Sequence, residues 1–197
     1  MKILLKIAAF FIAWAIGYFS IQAWREHSAR TAFNDQWQEV QSIPFDKREE
    51  YVRVESKKRL DSAKSNKDAV EIAAGMYFGW YLRITEGYAT ECLRHGVDIS
   101  PFVEKLNSVL HKENARLNFI FSGRDVEIAK ARQLILPKLL PDAARELQTM
   151  ATSENLTMAD ACRGINIVAE DPDLWSELWV EASPYKMIPE AMKTLMR

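Results

Sequence analysis

The sequence predicts an all-α protein, with an N-terminal transmembrane helix followed by a soluble multi-helix, bundle-like domain. Three observations carry this. Residues 3–24 are almost uninterruptedly apolar. Downstream, apolar side chains recur at three- and four-residue steps rather than in alternation. Seven glycines leave little material for hairpin turns.

The stretch Ile7–Trp24 holds 18 residues without a charge, about what a helix needs to cross hydrocarbon. Lys2, Lys6 and the amino terminus lie before it, and Arg25, Glu26, His27 and Arg30 after it. The positive-inside rule then favours a cytoplasmic N-terminus and a domain on the far side of the membrane. Tyr18 and Trp24 suit the interfaces. A cleaved signal peptide is the rival, since Ala13-Trp14-Ala15 is a small-x-small site. The apolar run continues beyond it through Ile16, Tyr18, Phe19 and Ile21, which suits an anchor better. The division expected is 1–24 anchor, 25–65 juxtamembrane helical stalk and 66–197 helical globular domain.

In the stalk, Ala29, Phe33, Trp37 and Val40 mark a helix that Pro44 interrupts. A charged helix follows, with Glu49–Arg53 and Glu55–Arg59 at i,i+4. The segment from Asn66 to Gly96 carries Val70, Ala74, Tyr77, Tyr81, Ile84, Tyr88 and Cys92 on one stripe, and reads as the central core helix, 67–95, ended by Gly96. Gly75 and Gly79 within it predict close backbone approach to a neighbour. Only 11 uncharged residues separate Glu71 from Arg83, too few for a second span.

Ser100 and Pro101 predict a cap and a first-turn proline. The helix they open carries Phe102, Leu106, Val109, Leu110, Leu117, Ile120 and Phe121, and closes at Ser122-Gly123. From Asp125 a helix runs to about Leu136, where Pro137 and Pro141 are expected to break or kink the chain before a further stretch to Ala151. Thr157 opens a helix with Met158, Ala161, Cys162, Ile165, Val168 and Ala169 on its apolar face. Asp171-Pro172 caps a short helix bearing Leu174, Trp175, Leu178 and Trp179, and beyond Pro184 and Pro189 only a short C-terminal helix remains.

The chain is 48% hydrophobic and 27% charged, a composition that supports a packed core. Without Lys2 and Lys6 it has 24 basic against 27 acidic residues, a net of −3. That balance lacks the concentrated positive face from which nucleic-acid binders draw affinity, so no nucleic-acid partner is expected.

Cys92 and Cys162, the only cysteines, fall on the apolar stripes of two helices. In an exported domain an even count predicts a disulfide between them. A zinc site using Cys92, His95, His111 and Cys162 matches no compact zinc pattern, and no metal or cofactor is expected. The chain lacks GxSxG, HExxH, P-loop, GxGxxG and CxxC motifs. Of the acids, Glu71 lies on the central helix, and Glu86 or Glu91 would serve as a general acid only if buried; pairing with Arg83 or Arg94 is the plainer expectation. Aromatic residues crowd the same helix and the Trp175–Trp179 helix. Core packing explains most of them. If a patch is exposed, Phe78, Trp80, Trp175 and Trp179 are the candidate interface.

These observations together lead to the expectation of a single-pass protein of the inner (cytoplasmic) membrane. Its periplasmic or extracytoplasmic domain is expected to bind another protein in an accessory, assembly or inhibitory role. A periplasmic immunity protein that neutralises a toxin, and an envelope-polymer hydrolase, are the alternatives.

Overall fold

In the computed structural model, residues 47–197 are described throughout, together with 31, 34–35, 38–39 and 42–44. The segment 3–24 and the Ala13-Trp14-Ala15 site lie outside the described residues, as do Ala29, Phe33, Trp37 and Val40. Among the described residues there are helices and no strand, and no helix is long and apolar enough to cross a membrane. Two compact units divide the chain, Met1–Tyr51 and Val52–Arg197. In the first, helical residues reach Ser42, and Pro44 starts a turn in which Lys47 N donates to its carbonyl at 2.9 Å.

Helix α1 (Arg48–Asp61) continues into the second unit. Its charges pair along the surface, Lys58 with Glu55 at 3.2 Å and Lys57 with Asp61 at 2.6 Å. Leu60 packs against the core, so this helix contributes more than a solvated stalk would.

The central rod comes next. Ser65 caps it, its hydroxyl accepting from Asp68 N while Asp68 Oδ2 accepts from Lys64 N, so two otherwise orphaned amides are satisfied. Helix α2 (Asn66–Leu82) passes into a π-helical turn (Arg83–Tyr88) and then α3 (Ala89–Arg94), and Gly96 ends it at φ +75°, a conformation glycine adopts without strain. The rod thus fills the predicted 67–95 span, with a π turn that the periodicity did not announce. Ala73, Ala74, Tyr77 and Cys92 are fully buried along it.

The expected close approach at Gly75 and Gly79 is absent: Gly75 is exposed, and a Cβ built at either position would meet nothing within 4 Å. The close approach occurs at Gly87, in the π turn, where a Cβ would lie 2.8 Å from Ala143 Cβ.

The helix expected over 100–121 is two, α4 (Ser100–Val109) and α5 (His111–Ile120). They divide at Leu110, whose side chain is fully buried. No proline or glycine marks the break. It lets the two pieces pack on different partners, α5 on the rod and α4 on a later helix, α7 (Met158–Glu170). The α4 cap also differs: Asp98 Oδ1 accepts from both the amide and the hydroxyl of Ser100, at 2.9 and 2.6 Å, so Ser100 is capped rather than capping.

The expected interruption near Leu136 does not occur. One helix, α6, runs from Asp125 to Ser153 with Pro137 and Pro141 inside it. The two prolines are four residues apart, on one exposed face. There, water can reach the carbonyls that lose their amide partners, and the packing of Leu139, Ala143, Leu147 and Ala151 holds the helix on its other side.

The remaining boundaries follow local chemistry. Thr157 caps α7, and Asp171 caps α8 (Pro172–Ala182) by accepting from the amides of Asp173 and Leu174. Two short helices finish the chain, α9 (Pro184–Met187) and α10 (Pro189–Leu195). Ala191, Met192 and Leu195 are fully buried and α10 lies against α2, so the C-terminus is part of the core.

Two glycine substitutions separate these roles. Gly87→Ala is expected to destabilise the fold by about 1–3 kcal/mol, because the new methyl must displace Ala143 or its backbone. Gly75→Ala should be neutral or stabilising by up to about 1 kcal/mol, since it adds helix propensity in open space. Urea titrations followed by circular dichroism check both.

Candidate functional site

Most of the chemistry-bearing side chains lie along the rod. On its π-turn flank, Glu146 of α6 receives Arg83 Nη1 on one oxygen and Tyr88 Oη on the other, both at 2.8 Å. Glu86, a candidate general acid, accepts Arg132 Nε at 2.8 and 3.0 Å on its two oxygens; its partner comes from α6 rather than from Arg83. Glu91, the other candidate, accepts from Arg94 at 2.9 Å and lies 3.3 Å from His95 Nε2. Glu71 takes Arg124 at 2.8 Å, and that hydrogen bond holds its carboxyl below the usual range. Each of these acids is bound to a basic side chain; Glu71, Glu86 and Glu146 thereby tie the rod to neighbouring segments, whereas Glu91 pairs within its own helical turn.

The rod also carries a seam of tyrosines and amides that the sequence reading missed. Tyr77 Oη donates to Asn114 Oδ1 and Tyr81 Oη to Asn107 Oδ1, each at 2.6 Å. Nearby, Tyr185 Oη donates to Glu113 Oε1 at 2.9 Å. Glu113 is 7% exposed, and its Oε2 has no hydrogen-bond partner among the described residues. The recurrence of Asn107 and Asn114 seven residues apart was the available signal, although the break at Leu110 puts them on separate helices.

Burial raises the Tyr77, Tyr81 and Tyr88 hydroxyls above the usual tyrosine value, and burial beside the Glu113 carboxylate pushes Tyr185 up to about 12.

The candidate interface residues are not an exposed patch. Trp80 and Trp175 are 7% and 9% exposed, and Phe78 and Trp179 are half-buried against the same core. Trp175 stacks on Trp179 at 5.9 Å and packs against Phe102, while Phe78 meets Phe121 edge to face. They act as packing residues, because a helix apolar on two sides is covered on two.

Cys92 on α3 and Cys162 on α7 are fully buried, with sulfurs at bonding distance and Cα atoms 5.5 Å apart, inside the roughly 4.4–6.8 Å range a disulfide needs. The zinc alternative fails, since both cysteines serve each other. His111 is exposed, and no group of ligating side chains suited to a metal occurs among the described residues.

A shallow groove of about 490 Å³ remains, between α1 and the α9–α10 turn. Ile188, Pro189 and Ala191 form one wall and Val54 the other. Arg53, Lys57, Lys58 and Asp61 of α1 stand at its rim, with Glu190 opposite. Val54 is 54% exposed, an apolar side chain left in solvent beside an apolar wall. No known protein family, curated protein or solved structure matches the chain.

Reduction should remove roughly 4 kcal/mol of stability in the chain-entropy model, for cysteines 70 residues apart. Thermal melts with and without reductant, and of Cys162→Ala, should show the same drop in midpoint with the room-temperature helical signal retained. The raised tyrosines predict a second effect. Folded Tyr77, Tyr88 and Tyr185 hold their protons above the unfolded value of 10.0, so the stability they contribute is complete below pH 10 and is lost as pH rises beyond it. Denaturation midpoints measured from pH 8 to 11.5 should fall only above about 10, and less steeply in Tyr185→Phe.

Proposed function

We propose that the chain is a single-pass protein of the cytoplasmic membrane, anchored by residues 3–24, whose helical domain lies outside the cytoplasm and binds another protein in an accessory, assembly or inhibitory role. The observation that carries the binding role is the groove beside Val54, an apolar side chain that the fold leaves exposed next to the half-buried Pro189. Its occupant is a segment of a partner protein that lays an apolar side chain between Val54 and Pro189. An acidic residue beside it would meet Arg53, Lys57 and Lys58, which outnumber Asp61 and Glu190, the acids of the lining.

The paired state of Glu71, Glu86, Glu91 and Glu146 favours binding over hydrolysis, because a general acid must be able to exchange its proton with a substrate. Export is supported by the Cys92–Cys162 pair, a bond that persists in oxidising compartments.

Photo-crosslinking in intact cells tests the binding role. A probe at position 54 should give one discrete adduct that a Lys57→Glu exchange, on the exposed rim, removes while the melting temperature holds. A probe at the exposed Phe119 should give none. Equal adducts at both positions, or none at 54, would overturn the binding role. A phosphatase fused after Arg197 should be active only when translocated; activity of a cytoplasm-only reporter there would overturn the location.

A further inference from the structure

The two halves of α6 are held by different forces. From Leu139 onward the helix buries Leu139, Ala143, Leu147 and Ala151, and Glu146 is bound from two sides by the π turn. From Asp125 to Leu136 no side chain is fully enclosed. Ile128, Ala131 and Ile135, on one stripe with Arg132, are only half-buried, and Val126 is 66% exposed.

This first half is also fastened laterally by charge. Arg132 pairs with Glu86 of the π turn, and Arg124, just before the helix, pairs with Glu71 of α2. All four side chains reach solvent, with exposures of 54% and 27% in the first pair and 42% and 36% in the second, so salt screens them.

Between the halves stand the two prolines. Pro137 cannot donate to the Gln133 carbonyl, and Pro141 cannot donate to that of Pro137, so consecutive turns lose a bond on the same exposed face. A helix missing bonds on one face bends most easily there.

We propose that residues 125–136 are an arm that swings from the rod about a hinge at Pro137 and Pro141. The Glu86–Arg132 and Glu71–Arg124 pairs are its latch, and opening bares the Ile128, Ala131 and Ile135 stripe. This device is independent of what the groove holds. It makes the arm, rather than the rod, the element whose exposure depends on ionic strength.

Amide hydrogen exchange on the full chain, read by mass spectrometry and corrected for intrinsic rates, tests it. Amides 126–136 should exchange about tenfold or more faster than 142–152, and faster still in high salt. Arg132→Ala should accelerate the arm severalfold and leave 142–152 unchanged, whereas the double variant Pro137→Ala/Pro141→Ala, with its helical bonds restored, should slow the arm. Equal protection of the two halves in the wild type overturns the proposal. So does Arg132→Ala accelerating both halves together, which would report global destabilisation, or arm exchange that the double variant leaves unaltered.

Discussion

A glycine at position 87 lets the π turn of the central rod lie against Ala143 of α6 with no side chain between them, since any Cβ there would sit 2.8 Å from that methyl. At that separation Arg83 and Tyr88 both reach Glu146. Downstream of the π turn Cys92 is buried toward α7, while Ala73, Ala74 and Tyr77, upstream, are buried in the same core. Widening the contact would loosen these hydrogen bonds together with the packing of Leu139 and Leu147.

The polar groups inside the domain obey the same economy. Tyrosine hydroxyls are matched with polar side chains across helices, Tyr77 with Asn114, Tyr185 with Glu113, Tyr88 with Glu146, while the second Glu113 oxygen has no partner among the described residues. A buried hydrogen bond of this kind orients its helices, because an unmatched partner would lose solvation without compensation. Glu71 and Glu86, which in isolation resemble catalytic candidates, are joints of the framework. The surface features left over are the groove beside Val54 and the first half of α6, and both the binding role and the arm are drawn from them.

How much of this was legible depended on the range of the interaction. The candidate interface residues Phe78, Trp80, Trp175 and Trp179 were recognised as apolar anchors, yet whether such a side chain faces a partner or its own core is set by helices distant in sequence. The groove was not legible, because Val54 and Ile188 become neighbours only when the C-terminal helix docks. Glu146 and Glu113 gave no signal for the same reason: their tyrosine partners lie 58 and 72 residues away.

The sequence by itself determined the helical class, the caps at Thr157 and Asp171, the stop at Gly96, and the placing of both cysteines on apolar stripes. Each of these rests on groups within about four residues of one another, or on a periodicity that any observer of the chain can read. The tertiary structure alone decided the π turn, the break at Leu110, the passage of α6 through two prolines, and the burial of Ala191, Met192 and Leu195. Local propensity is neutral at Leu110, opposed at Pro137 and Pro141, and weak over the short final helix. In each case the burial of apolar surface against a distant helix outweighs it.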